Sequence, residues 1–226
     1  MSTIDEIQKQ GKTLKNALIV CNGNPPPKSL LNQLWEKTTY RVAADGGANL
    51  LVKNKCMPDA VIGDFDSLMA KTRKKMPNTK FLHIPEQDTN DADKAVRHCL
   101  QLGFKEIHLL AADGGRQDQF LSGLEILYKY SKKARLISWT QMERMEFVFQ
   151  NWEEKIQPGT TISMLPVFGL AQGIVTKGLK YPLKNQSLIP GESPSGVSNL
   201  VVSTPVKINV TKGRLLVVIQ HKEFFY

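Results

Sequence analysis

The stretch Tyr40-Arg41-Val42-Ala43-Ala44-Asp45-Gly46-Gly47-Ala48-Asn49-Leu50-Leu51 decides the reading of the fold. Its first five residues form an apolar run too short for a helix. An acidic residue and a glycine pair then break the run before a new apolar pattern begins. A buried strand that ends in a tight turn at the start of a helix reads this way. The same punctuation recurs outward from this point. Ala60 to Ile62 runs into Gly63-Asp64-Phe65-Asp66-Ser67, Lys80 to Ile84 leads to Gln87-Asp88-Thr89-Asn90-Asp91, and Glu106 to Ala111 leads to Asp113-Gly114-Gly115-Arg116-Gln117-Asp118. With Ala17 to Cys21 and Ala134 to Trp139 added, short strands alternate with helical patterns. This predicts a doubly wound, mostly parallel α/β domain over residues 1–142.

Two helices are marked by their own signals. Ala92, Ala95, Val96, Cys99 and Leu102 share one face between Asn90, a capping residue, and Gly103, a stop. Phe120, Leu121, Leu124, Leu127 and Tyr128 line a second helix from Arg116 to Tyr130. Beyond residue 142 the texture changes to β-rich runs separated by Gly, Pro and Asn: Arg144 to Gln150, Thr160 to Leu165, Gly173 to Gly178, Asn199 to Ser203, Val206 to Val210 and Arg214 to Gln220. They predict a carboxy-terminal antiparallel β-sandwich domain over 143–226.

Composition narrows the function. The 226 residues are 41% hydrophobic and 23% charged, which excludes a disordered chain. Met1 to Lys12 is polar, and no stretch reaches the roughly 20 apolar residues of a membrane span, so a cytoplasmic protein without a membrane partner is expected. Cys21, Cys56 and Cys99 are too few and too scattered for a disulfide framework or a zinc knuckle. The net charge of +9 is dispersed in short clusters, Lys71 to Lys75 and Lys132 to Arg135, which argues against a nucleic-acid partner. The GxxxxGK[ST] loop, the GxGxxG fingerprint and the GxSxG elbow are all missing, and the four histidines show no metal spacing.

The acidic residues carry the strongest chemical signal. Nine of the ten aspartates lie from Asp45 to Asp118. In an open parallel sheet ligands gather beyond the carboxyl ends of the strands, where four of these loops would converge. Crowded carboxylates repel one another unless a cation neutralises them, and an oxygen-only donor set suits Mg2+. Gly46-Gly47 and Gly114-Gly115 would let backbone amides approach a phosphate, and Arg116 offers a planar fork for its oxygens. Each piece has a plainer reading. Gly-Gly is a common turn, Asp64 and Asp66 can be an accident of a surface loop, Asp91 can be a helix N-terminal acid, and Asp118 can be a solvated face.

Taken together, the loops resemble those of the thiamine pyrophosphokinase family: ADGGANLL (44–51), GDFDS (63–67), QDTND (87–91) and GGRQDQ (114–119). TKGLKYPL (176–183) and GVSN (196–199) resemble later motifs of the same family, in the same order. Asn90 stands where that family usually carries threonine. The resemblance implies transfer of the pyrophosphoryl group of ATP to the thiamine hydroxyl by in-line attack at the β-phosphorus, with Mg2+, giving thiamine diphosphate and AMP. It also implies a homodimer with the active site at the subunit interface. In the implied site Asp45, Asp64, Asp66 and Asp88 hold Mg2+ and the nucleotide phosphates, with Gly46, Gly47, Gly114, Gly115, Arg116 and Gln119 also on the phosphates. Asp91 and Asp118 line the reaction site, either being able to orient or deprotonate the hydroxyl, and Ser198 and Asn199 contact thiamine. A Mg2+-dependent phosphohydrolase and a non-catalytic thiamine sensor are the competing readings.

Overall fold

A computed structural model describes residues 16–114, 116–192 and 196–221. The chain divides between Gln141 and Met142 into two compact units.

The amino-terminal unit is a parallel sheet of β1 (Ala17–Val20), β2 (Tyr40–Ala44), β3 (Ala60–Gly63), β4 (Lys80–His83), β5 (Glu106–Leu110) and β6 (Arg135–Trp139). Its strand order is β6-β5-β1-β2-β3-β4. The helices α1 (Lys28–Lys37), α2 (Gly47–Lys53), α3 (Ala70–Lys74), α4 (Asp91–Gln101) and α5 (Gln117–Tyr130) follow β1 to β5 in turn. Because β1 lies centrally, every residue of Ala17–Val20 is fully buried, which is why this strand reads as an unbroken apolar run. Burial of each large side chain there contributes about 1.5–3 kcal/mol. The sheet grows in one direction from β1 through β4, then returns to place β5 on the other side of β1. That reversal is a topological switch point, beyond whose strand ends ligands gather in open parallel sheets.

α4 shows how local sequence sets a boundary. Asn90 Oδ1 accepts from the Asp93 amide at 2.9 Å, and Asp91 and Asp93 occupy the first turn, where the helix dipole favours negative charge. Asparagine thus does the capping expected of Asn90. The helix buries Ala95, Val96 and Cys99, packs on β1, β2 and β3, and ends at Gln101 with Leu102 as its C-cap.

The carboxy-terminal unit is antiparallel: β7 (Glu143–Glu154), β8 (Thr161–Leu165), β9 (Ala171–Lys177), β10 (Lys184–Leu188), β11 (Asn199–Leu200) and β12 (Val206–Gln220). β12 pairs with β7 along its length. Its first half pairs on the other side with β9, and its second half with β8. Two layers, β10-β9-β12-β7 and β11-β8-β12-β7, therefore share two long strands and enclose one core that includes Ile162, Ile174 and Leu188. The expectation of two strands, Val206 to Val210 and Arg214 to Gln220, is corrected here: they are one strand. The residues it gives to the core of this unit fall at 206, 208 and 210, then at 215, 217 and 219, with Leu216 buried as well but outside that core. That change of parity would turn an ideal strand inside out. A register shift between Val210 and Leu215 restores the facing, with Gly213 at φ 88°. β10 escaped the sequence reading because Lys-Asn-Gln-Ser is exposed and shows no alternation.

Candidate active site

The strand-end loops of the amino-terminal unit enclose a cavity of about 600 Å³, lined among others by Asp45, Asp64, Asp91, Asp113, Lys94 and Arg116. Three non-glycine residues at these ends adopt left-handed backbone conformations: Asp45 (φ 38°), Phe65 (φ 68°) and Ala111 (φ 55°). Each costs of order 1–3 kcal/mol, and such strain gathers where backbone must aim a group rather than relax. For Asp45 the conformation is enforced by its amide, which donates to Ile62 O at 2.8 Å, and by its carbonyl, which accepts from Ala48 N at 3.1 Å.

One carboxylate oxygen each from Asp45, Asp64 and Asp91 comes within 4.8 Å of the other two. Asp45, 3% exposed, accepts from Ser67 N through Oδ2 at 2.9 Å, while its buried Oδ1 accepts nothing. Asp64 accepts from Asp66 N at 3.1 Å and from Gln87 Nε2 at 2.9 Å. Asp91 pairs with Lys94 Nζ at 3.1 Å. Gly63 makes this proximity possible, since a Cβ there would sit 2.8 Å from Asp45 Cβ and 3.0 Å from Asp91 Oδ1.

Burial first, with Asp66 and Asp91 adding repulsion, pushes the Asp45 carboxyl up to about 6 against the opposing Ser67 amide. Burial also raises Asp91, opposed by Lys94. The Gln87 amide and the Asp66 backbone hold Asp64 below the usual carboxylate range. Burial raises Asp113. Three hard oxygens at this spacing, one of them buried and unsatisfied, match the donor set of a divalent cation such as Mg2+.

The residues singled out from sequence fall in several places. Asp45, Gly46, Asp64, Asp66, Asp91, Gly114, Arg116 and Gln119 line the cavity. Asp88 is exposed and lies outside the lining, so the loop that carries it contributes Asp91 to the carboxylate group in its place. Gly47 opens α2 with its Cα packed against Val20 O rather than facing the cavity. Asp118 also lies outside the lining. Its carboxylate is gripped by Arg116 Nε at 3.1 Å and by Nη2, and the two side chains are 60% and 72% exposed. Gly115 is outside the described residues.

Sequence reasoning missed Lys94, which is 2% exposed, and the first-strand loop, where Cys21, Asn22 and Gly23 line the cavity. The amides of Cys21, Gly23 and Asn24 donate to Leu110, Ala111 and Asp113 carbonyls at 2.7–2.8 Å, extending the β1–β5 ladder past the strand ends. The signal available was the Cys-Asn-Gly-Asn turn directly after an apolar strand.

In the carboxy-terminal unit Ser198 is exposed with φ 60°, and its amide donates to Ser163 Oγ at 3.0 Å. Asn199 is buried and fully engaged with backbone. Oδ1 accepts from Tyr181 N and Leu200 N, and Nδ2 donates to Tyr181 O at 2.7 Å. Its amide is spent on holding Tyr181, which is 61% exposed, so Ser198 alone of the two presents its side chain outward.

Residues 31–138 match the family model of the thiamin pyrophosphokinase catalytic domain, and residues 151–215 match that of the thiamin pyrophosphokinase vitamin B1 binding domain. Thiamine pyrophosphokinase 1 of Arabidopsis thaliana is 30% identical over 220 residues, covering 85% of this chain and 81% of that protein. Thiamine pyrophosphokinase of Bacillus subtilis is 29% identical over 214 residues, covering 91% and 98%. The crystal structure of thiamine pyrophosphokinase from Bacillus subtilis shares the fold with a TM-score of 0.81 at 23% identity, covering 92% of this chain and 99% of that one. An α/β unit followed by a β-rich unit, both matched over most of their length, defines a transferase of the kinase class. The chain belongs to the thiamine pyrophosphokinase family. Among the described residues no helix is long and apolar enough to cross a membrane.

Proposed function

We propose that this enzyme forms thiamine diphosphate by moving the pyrophosphoryl group of ATP onto the thiamine hydroxyl, releasing AMP. The observation that carries the reading is the convergence of Asp45, Asp64 and Asp91 at the switch-point cavity, in a chain of this family. These three would hold Mg2+, with Asp66 beside them. A bound Mg2+ supplies charge neutralisation and polarisation of the transferred phosphoryl group. Amides of the Gly46 and Gly114 loops, with Gln119, face the polyphosphate.

Arg116 reaches the same cavity, and its contact with Asp118 is exposed and so easily exchanged for phosphate oxygens. That exchange frees Asp118 to orient the thiamine hydroxyl. Asp91, at the same cavity, is the alternative acceptor of the hydroxyl proton. Lys94 balances the carboxylates from below, and rigid loops supply positioning for an in-line displacement at the β-phosphorus. Ser198 contacts thiamine, and the enzyme acts as a cytoplasmic homodimer.

The test is incubation of purified protein with ATP, Mg2+ and thiamine, followed by chromatography, with thiamine omitted as control. The expected result is AMP and thiamine diphosphate in equal amounts, both dependent on thiamine. ATP loss without thiamine diphosphate would make the protein a phosphohydrolase, and thiamine binding without product would make it a sensor. Light scattering at a mass other than two chains would remove the dimer.

A further inference from the structure

The loop between β4 and α4 carries Gln87, Asn90 and Asp91 to the cavity, yet it is anchored from behind by a residue that does not line it. Glu86 uses both carboxylate oxygens. Oε2 accepts from the amides of Asp88 at 2.9 Å and Thr89 at 3.2 Å, and Oε1 accepts from Thr89 Oγ1 at 2.6 Å and from Arg97 Nη2. Arg97 also donates to Thr89 Oγ1 at 2.8 Å and pairs through Nε with Asp93 Oδ2 at 3.3 Å. Asp93 is 5% exposed and takes a second cation, Lys129 of α5, at 3.0 Å. The loop is thus tied through Arg97 to two helices.

Two side chains of this loop make contacts that bear on the site. Gln87 donates to Asp64, and Asn90 both caps α4 at its Asp91 end and donates through Nδ2 to Ser122 Oγ on α5 at 2.9 Å. The Thr89 hydroxyl first, then Arg97, hold the Glu86 carboxyl down to about 2, so the clasp is charged throughout the physiological range.

We propose that Glu86 and Arg97 are positioning residues that set the separation of the Asp64 and Asp91 carboxylates by clasping the 84–90 loop, and so govern divalent-cation affinity without touching the cation. This rests on the reading of the cavity as the pyrophosphoryl-transfer site. Each carboxylate is fixed by one end of the clasped segment, Asp64 through Gln87 and Asp91 through the capped helix start. Loosening the segment lets the two drift apart.

The test compares Glu86→Ala, Arg97→Met, the double variant and Glu86→Gln with the unaltered protein. Mg2+ affinity is measured by titration calorimetry with the metal alone, amide exchange by mass spectrometry, and turnover against Mg2+ and ATP concentration. Glu86→Ala and Arg97→Met should each weaken Mg2+ about tenfold or more, as loss of outer-sphere partners does, with a smaller fall in kcat. Exchange should quicken at 84–91 and stay unchanged in β1 and β5. The double variant should be little worse than either single one, because both break one unit. Glu86→Gln, which keeps an acceptor for the Asp88 and Thr89 amides, should recover part of the affinity. Unchanged Mg2+ affinity with a lowered thermal midpoint would reduce the clasp to a structural role and overturn the proposal, as would unchanged exchange at 84–91. A protein that makes no thiamine diphosphate at all would overturn the assigned reaction instead, while calorimetry and exchange would still decide the clasp.

Discussion

Lys94 Nζ lies 3.1 Å from Asp91 Oδ1, one helical turn apart, and the lysine side chain is 2% exposed while the aspartate is 26% exposed. The buried member of the pair is therefore the cation. Asp91→Asn strands that cation away from water, and breaking a buried pair in this way costs about 3–5 kcal/mol. Lys94→Met leaves Asp91 within reach of solvent and costs less. Urea unfolding of the two metal-free variants is expected to show the larger loss for Asp91→Asn, and the opposite order would place the buried charge elsewhere.

Asp45 makes the metal-free protein sensitive to pH. Its carboxyl moves from an ordinary 3.8 to about 6 on folding. Below 3.8 both states are protonated and nothing is lost. Between 3.8 and about 6 the unfolded chain gives up the proton that the folded chain keeps, so stability falls as pH rises, and above about 6 the penalty is complete. Thermal melts of Asp45→Asn should lose this slope and give a higher midpoint than the unaltered protein at pH 7. Added Mg2+ should raise the midpoint of the unaltered protein and leave the variant where it was.

Asn199 and Ser198 are neighbours with different consequences. Asn199→Ala leaves Tyr181 N without its side-chain acceptor and Tyr181 O without its side-chain donor, a loss of about 1–3 kcal/mol. Ser198→Ala removes an exposed hydroxyl and should leave the unfolding midpoint in place while raising KM for thiamine. Denaturant titration and steady-state kinetics on both variants separate the two roles.

Arg116→Lys keeps the charge and loses the planar fork. With the residue so exposed, thermal stability should not move, but kcat/KM should fall about a hundredfold, the scale of losing one donor to a transition-state oxygen. Asp118→Asn and Asp66→Asn should likewise abolish most turnover with melts unchanged. Near-normal kcat/KM in all three would remove these side chains from the reaction.

Much of the fold was legible because its strands are punctuated. Tyr40–Ala44 coincides with the sequence reading, and the other five parallel strands differ from it by a residue at one end. Each carries a short apolar segment, and β1, β2, β3 and β5 are followed within three residues by Asp or Asn. The short helices α1 and α3 went unseen because each buries only a few side chains and neither carries a side-chain cap. In the site, the acidic loops announced themselves, whereas Lys94 did not. On an amphipathic helix a lysine reads as solvent-facing, and only the tertiary approach of Asp91, Asp64 and Asp45 makes a buried ammonium favourable there. Asp88 and Asp91 sit three residues apart in one loop, and sequence spacing could not say which of them the helix start would turn inward.

β12 serves both layers of the carboxy-terminal unit, crossing from one to the other at the Gly213 bulge. A protease nick between Thr211 and Gly213 would sever the seam that both layers share, and the whole unit would unravel in a single step. A nick after Gly169, in the turn between β8 and β9, spares that seam, and the two fragments should stay clamped together and migrate as one particle until denaturant parts them.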